Sequence, residues 1–288
     1  VKIISLQPSI TLTLERLGRL DLLAACTRYC LDAVPALRGR GLPVVHDSWS
    51  TRVEELLPIR PDLVLASVPY RQESLTAILK AGCPVLLLAP HTLADIFQDI
   101  RLLASVVHAA EAGETLIAEM QAALAEARAQ AASVTQPPVV CCEEWGKPLI
   151  HSQTWVKELV EAAGGVFLGE PGSTTTAEAI ADADPDVVLM SWCGAGDRVP
   201  LERVVVQRGW QQLRAVTSGQ VYCVTDELLN TPAHTLLGGL RAIAQALRPR
   251  TAEPDHGSAQ PDHGSAESAP GLRRIDLASL PALPPESD

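Results

Sequence analysis

The sequence predicts an α/β protein made of two similar α/β lobes with mostly parallel sheets, joined by a long helical connector. Three observations predict this class. Short apolar runs alternate with helical patterns in both halves of the chain, the pattern of βα units around a buried parallel sheet. A stretch between the halves, residues 92–133, carries helical spacing and no strand signal. A segment of the first half is also echoed in the second: Glu54, Pro61-Asp62 and Ser67 of "VEELLPIRPDLVLAS" correspond at one constant offset to Glu178, Pro185-Asp186 and Ser191 of "AEAIADADPDVVLMS".

In the first lobe, residues 1–91, the strand candidates are Ile3–Leu6, Leu22–Thr27, Leu63–Ser67 and Val85–Ala89, with Val44-Val45 a shorter run. The connector, 92–136, opens with Leu93, Ile96, Ile100, Leu103 and Val107 at helical spacing, and a second helical stretch with Ile117, Met120 and Leu124 follows Gly113. After Pro137-Pro138 the second lobe, 137–248, offers Val139–Cys142, Val187–Ser191 and Val221–Thr225 as strands and a last helix around Ala233–Leu247. From Pro249 the chain has seven prolines, no aromatic residue and two copies of Pro-Asp-His-Gly-Ser-Ala. That composition predicts a disordered acidic tail, 249–288, outside the fold, with His256 and His263 solvated.

Over 288 residues, 23 Lys+Arg against 34 Asp+Glu give a net charge of −11, which disfavours nucleic acid and acidic membrane surfaces. No apolar run approaches the roughly 18 residues of a membrane-spanning helix. Seven cysteines, several inside apolar runs, fit buried thiols in a reducing compartment, and no leader pattern precedes Ile3–Leu6. The chain as written is therefore expected in the cytoplasm, with periplasm or cell surface as the alternative if a signal segment has been removed.

Aromatic residues are few (5 Trp, 3 Tyr and 2 Phe), and several follow strands: Tyr29, Tyr70, Trp145 and Trp192, with Trp49 after Val44-Val45. Open parallel sheets bind ligands beyond the carboxyl ends of their strands. These rings are expected to line a cleft between the lobes that holds a large flat or amphipathic ligand by stacking; individually, each is equally consistent with plugging a strand end. Cys193, in the glycine-flanked "SWCGAG", joins them as a ligand contact or as a buried, unreactive thiol. Catalytic signals are poor: there is no nucleophile elbow, phosphate loop, dinucleotide fingerprint or His-Glu-x-x-His helix. His46, Asp47, His91, His108 and His151 lack metal-ligand spacing, and Cys141-Cys142 point to opposite faces of a strand. No metal site and no catalytic residue are expected.

With these residues in place, "IISLQPSITLTLERLG", "TRYC", "ELLPIRPDLVLAS", "VKELVEAAGG" and "GWQQLRAVTSGQVYCV" resemble, in order over residues 1–248, segments of the cobalamin and ferric-siderophore substrate-binding proteins of ABC importers. "CCEEWGKP" and the following "TWVKELVEAAGG" are similar to a subgroup of that family lacking export signals. The resemblance implies non-enzymatic binding of cobalamin or a similar metal chelate, with the chelate as ligand and no cofactor required. Tyr29 and Trp49 match aromatic residues that sandwich the corrinoid, and Glu54 and Glu178 match glutamates, one per lobe, that dock on permease arginines. The chain departs from the cobalamin binders at Gly172, where they carry a cleft tryptophan, and at Asp226-Glu227-Leu228, where they carry an aromatic residue. A monomer is expected. The alternatives are a ferric-siderophore or haem binder, an enzyme using Cys193, His91, His151 or Glu144 on a bound metabolite, and an interaction protein working through its tail.

Overall fold

The computed structural model describes residues 1–248 and 269–280, which fall into two compact units: Val1–Ala122 with Thr231–Thr235, and Ala123–Asn230 with the remainder from Leu236.

The first unit is built on β1 (Ile3–Ser5), α1 (Pro8–Arg16), β2 (Leu23–Thr27), α2 (Arg28–Ala33), β3 (Val44–Val45), α3 (Val53–Leu56), β4 (Leu63–Ser67), α4 (Gln72–Lys80), β5 (Val85–Leu88), α5 (Leu93–Val106) and the start of α6 (Ala110–Ala131). Its five strands are all parallel, in the order β3-β2-β1-β4-β5. Strand order reverses between β1 and β4, the place where open sheets leave a crevice at their carboxyl edge. Central β1 is buried throughout and β4 nearly so, whereas Val44 of β3 and Leu87 of β5 at the sheet's edges are exposed. Ile3, Leu14, Cys26 and Leu65 belong to one core cluster, and Ile4, Ala25, Val64 and Ala66 to another. The alternation along β1, β2 and β4 supplies both, because successive strand residues point to opposite faces.

Helix starts are written locally. Pro8 occupies the first turn of α1, where no amide partner is needed. Thr92 and Asp95 form a capping box at α5, each side chain accepting the other's backbone N–H at 3.1 and 2.9 Å. The helical stretch from residue 92 is two helices. The chain turns at His108, whose left-handed φ of 55° ends the first, and α6 starts three residues ahead of Gly113. His108 thus sits in an exposed turn between helices. Gly113 lies inside α6 against Ala104, whose Cβ would stand 2.5 Å from any added Cβ.

The second unit comprises β6 (Val139–Gly146), β7 (Leu149–His151), α7 (Thr154–Ala162), β8 (Val166–Phe167), β9 (Thr174–Thr175), α8 (Ala177–Ala183), β10 (Val187–Met190), α9 (Leu201–Gln207), α10 (Arg214–Thr217), β11 (Val221–Val224), α11 (Glu227–Asn230), α12 (Leu236–Ala246) and β12 (Leu272–Arg274). Its sheet has the order β12-β11-β10-β6-β7-β9, with β8 on the early part of β6. Strands β11, β10, β6 and β8 run parallel, while β7, β9 and β12 are antiparallel additions.

Strand β12 corrects the expectation that everything after Pro249 lies outside the fold. Ala269–Leu280 return to the second unit, pairing Leu272–Arg274 with β11 and burying Ile275 to 5% exposure. Arg273 donates to the carbonyls of Asp197 (3.0 Å) and Val199, and Arg274 to those of Gly219 and Ser218. A short segment with few large apolar residues suffices here because an open β11 edge supplies backbone partners. The repeats carrying His256 and His263 lie outside the described residues. Among the described residues, no helix is long and apolar enough to cross a membrane.

Candidate ligand-binding surfaces

On the first unit, strand ends place the rings. The Thr27 hydroxyl accepts the Cys30 N–H at 3.1 Å and starts α2 directly at the end of β2, so Arg28 and Tyr29 project from the helix's first turn. Tyr29 is 49% exposed, with the Arg28 guanidinium 5.2 Å from its ring centroid. After β3, one carboxylate oxygen of Asp47 accepts the N–H groups of Trp49 (3.2 Å) and Ser50 (2.9 Å) and the Ser50 hydroxyl (2.7 Å). This side-chain turn fixes the backbone of Trp49, whose carbonyl accepts the Ser74 hydroxyl at 3.1 Å. The indole is 52% exposed, with the Arg71 guanidinium 5.9 Å from its centroid. The His46 ring nitrogen stands 2.8 Å from Glu55. Burial would raise the Glu55 carboxyl, but hydrogen bonds from the His46 side chain and backbone outweigh it and hold the group below its ordinary value.

A cavity of about 320 Å³ brings together Arg28, Tyr29, His46 and Asp47. Trp49 and half-buried Tyr70 do not line it. Glu54 stands exposed in the first turn of α3, and Glu178 exposed in the first turn of α8. Glu178 is held below the ordinary carboxyl value by its own backbone N–H and the Thr176 hydroxyl. The echoed segments therefore share a helix start before a strand.

On the second unit, Trp145, Trp192 and Cys193 meet. They line a cavity of about 470 Å³ with Gly146, Lys147 and Arg208. Trp145 lies on β6, 42% exposed, its indole N–H donating to the Lys147 carbonyl at 2.9 Å. Trp192 follows β10 and donates its indole N–H to Glu143 at 3.2 Å. Its six-membered ring lies flat against Gly146, where an added Cβ would come within 2.4 Å.

Glu143 and Arg208 were not legible as site residues. Glu143 has no exposed surface, and Arg208 reaches it at 2.6 Å. The same guanidinium stands 4.7 Å from the Trp210 centroid and 5.8 Å from that of Trp192. Burial pushes the Glu143 carboxyl up, and Arg208 and Trp192 pull the other way. An acidic pair inside an apolar strand, "VVCCEEWG", is the local signal, because alternation sends one of the two inward; the partner, 65 residues away, left none.

The candidate chemical groups each have a distinct local setting. Cys193 is exposed as a residue, contrary to a buried reading, yet its sulfur is hemmed in. Desolvation, followed by the Glu144 and Asp226 carboxylates, pushes the thiol up to about 12, so it stays protonated at neutral pH and is a weak nucleophile. Burial raises Glu144, which accepts from Gln153 at 2.7 Å. His151 is buried, its charging disfavoured by desolvation. The His91 backbone N–H is part of the α5 cap, donating to Asp95 at 3.0 Å. The other six cysteines are buried free thiols. Among the described residues no group of acids, histidines and cysteines is arranged to hold a metal ion.

The chain is thus built of two α/β units, with Tyr29, Trp49 and Trp145 exposed near the ends of parallel strands. The family model described as periplasmic binding protein matches residues 3–228, and the chain belongs to that family. It is 24% identical over 262 residues to an uncharacterised ABC transporter substrate-binding lipoprotein, YvrC, of Bacillus subtilis, covering 87% of this chain and 81% of that one. A cobalamin-binding protein of Halobacterium salinarum is also 24% identical, over 263 residues, 87% of this chain and 70% of the relative. Among solved structures, a periplasmic heme binding protein from Pseudomonas aeruginosa superposes with a TM-score of 0.78 at 21% identity, over 96% of this chain and 98% of that one. At that identity it establishes the fold alone.

Proposed function

We propose that this protein is a non-enzymatic binder of a large, flat metal chelate, of the cobalamin, haem or ferric-siderophore kind, serving an ABC-type uptake system. The observation that carries the reading is the set of rings at strand ends: half-exposed Tyr29 and Trp49 on one unit and half-exposed Trp145 on the other, where Cys193 and partly buried Trp192 line the same cavity, with Tyr70 a further candidate. Trp49 is anchored by its backbone and Trp145 by its indole N–H while each ring stays open to solvent, the arrangement of a stacking surface. The names of the relatives, cobalamin-binding in one case and heme-binding in another, support the ligand class. The lipoprotein relative and the family description support a periplasmic or cell-surface location over a cytoplasmic one. Exposed Glu54 and Glu178, at equivalent helix starts, are our candidates for contact with permease arginines.

Calorimetric titration of the full chain with cyanocobalamin, haemin and a ferric siderophore tests the reading. At least one should bind at micromolar affinity or better. Trp49→Ala and Trp145→Ala should each weaken that binding by about 1–3 kcal/mol, the cost of losing a buried aromatic contact. Their unfolding midpoints should hold, since both rings are half exposed in the free protein. Silence with all three chelates, or full affinity in both variants, removes the assignment. For docking, Glu54→Ala/Glu178→Ala should abolish stimulation of the cognate permease's ATPase while ligand affinity is retained.

A further inference from the structure

Two walls of the second unit's cavity come from the loop between β10 and α9, which contributes residues 192–195, and from α9 itself, which contributes Val204, Gln207 and Arg208. Gly194 and Gly196 of the loop take left-handed φ values of 78° and 60° and meet nothing within 4 Å where a Cβ would stand, so packing at these positions does not fix it. Hydrogen bonds from distant elements do. Asp226, just after β11, accepts the N–H groups of Gly194 and Gly196 at 2.6 and 3.1 Å, and the Cys223 thiol of β11 donates to the Gly196 carbonyl at 3.7 Å. Arg273 of β12 donates to the Asp197 carbonyl at 3.0 Å and, through a second guanidinium nitrogen, to that of Val199. The same segment holds α9. Ile275 is buried in the core cluster that contains Val199 and Val204, and the Asp276 N–H donates to Glu202, in the first turn of α9, at 2.9 Å. Residues 269–280 lie beyond the 3–228 that the family model matches, and Arg273 does not line the cavity.

Resting on the chelate-binding reading above, we infer that the returning segment is a strap that builds the second unit's cavity, with Arg273 the positioning residue that sets the loop carrying Trp192 and Cys193. A planar guanidinium fork that bridges two carbonyls of one loop restrains its backbone as a single donor cannot. Ligand affinity therefore depends on a residue outside the cavity. Arg274, the next residue on β12, supplies the contrast: strand alternation sends it the other way, to the carbonyls of Gly219 and of Ser218 at 3.1 Å in the turn before β11, and neither of these lines the cavity.

The test titrates haemin and cyanocobalamin into the full chain and into its Arg273→Ala and Arg274→Ala variants. The chelate that the wild type binds should bind Arg273→Ala about ten-fold more weakly, the ratio expected when hydrogen bonds from a charged group that order the site are lost, and should bind Arg274→Ala with unchanged affinity. Both variants remove guanidinium-to-carbonyl bonds from one strand, so a merely structural loss moves them together. Without ligand, hydrogen exchange at the Gly194 and Gly196 amides should quicken in Arg273→Ala and not in Arg274→Ala. If the alanine variant does not fold, Arg273→Lys carries the comparison: it should lose affinity where Arg274→Lys does not. Wild-type affinity in the Arg273 variant overturns the inference, as do an equal loss in the two variants or unchanged exchange of the loop amides; each of these leaves chelate binding standing. No binding of either chelate by the wild type overturns that reading and the inference together.

Discussion

Arg208 Nη1 lies 2.6 Å from Glu143 Oε1, pairing a carboxylate with no exposed surface to a guanidinium whose side chain is 12% exposed. The remaining carboxylate oxygen accepts the Trp192 indole N–H, and a second guanidinium nitrogen donates to the Gly146 carbonyl at 3.3 Å. The pair thus ties α9, β6 and the loop after β10 to one another beneath the ring that lines the cavity. Removing one partner strands the other charge in a dry site. Arg208→Met should cost about 3–5 kcal/mol in urea unfolding, and Glu143→Leu/Arg208→Met should recover most of it. A single variant as stable as the parent would show that the pair holds nothing.

Gly146 is required by Trp192 rather than by backbone conformation. A methyl group there would fall 2.4 Å from the indole and force the ring to move. Gly146→Ala should destabilise by about 1–3 kcal/mol through overpacking and shift tryptophan emission. In a Trp192→Ala background the same substitution should cost almost nothing; an undiminished cost would place the clash elsewhere.

The returning segment at Ala269–Leu280 covers an edge that would otherwise be open. Ile275→Ala should cost about 2–4 kcal/mol, as for other buried large-to-small changes. Deleting residues 269–288 should speed hydrogen exchange at the Thr225 amide, which donates to the Gly271 carbonyl at 2.8 Å. Unchanged protection of that amide would mean the strand is not paired in solution.

His234 gives stability a pH dependence of known sign. Burial, reinforced by the nearby Arg16 guanidinium and opposed by Glu119, lowers it from 6.5 to about 4. The unfolded chain binds this proton more readily, so the group's contribution is fully present above pH 6.5 and is lost as pH falls toward 4. Asp99, raised to about 6 chiefly by burial, acts in the opposite sense, its contribution fading as pH rises from 3.8 to 6. Comparing wild type with His234→Gln isolates the histidine. The wild type should lose roughly 1–2 kcal/mol more than the variant between pH 7 and pH 4, the shift being discounted for partial solvent exposure, and parallel curves would reject the assignment.

Much of this architecture was legible from local pattern. The runs at Ile3, Leu63 and Val187 fold as buried parallel strands because both faces of a central strand are covered, which makes them continuously apolar. The capping box at Thr92 and Asp95 marks its helix in four residues. Strands β7, β8 and β9 were not legible: two or three residues each, they exist only because β6 and its neighbours offer unpaired backbone. Strand β12 was hidden for the same reason, inside a proline-rich segment whose composition argues against order.

The candidate site divides along the same line. That Tyr29, Trp49, Trp145 and Trp192 follow strands is a property of the chain, and a parallel sheet carries such residues to its carboxyl edge whatever else surrounds it. Which of them share a cavity depended on loops and helices far away in sequence. Trp145, Trp192 and Cys193 meet because β6 and β10 are adjacent, while Trp49 stays outside the cavity that holds Tyr29. The sequence by itself determined the βα periodicity and the two-lobed class, since these follow from spacing and composition. Only the tertiary structure decided that Glu143 is buried, that Arg208 answers it across 65 residues and that Gly146 makes room for Trp192. Burial and long-range pairing belong to the packed chain, and no local pattern encodes the partner that a desolvated charge will find.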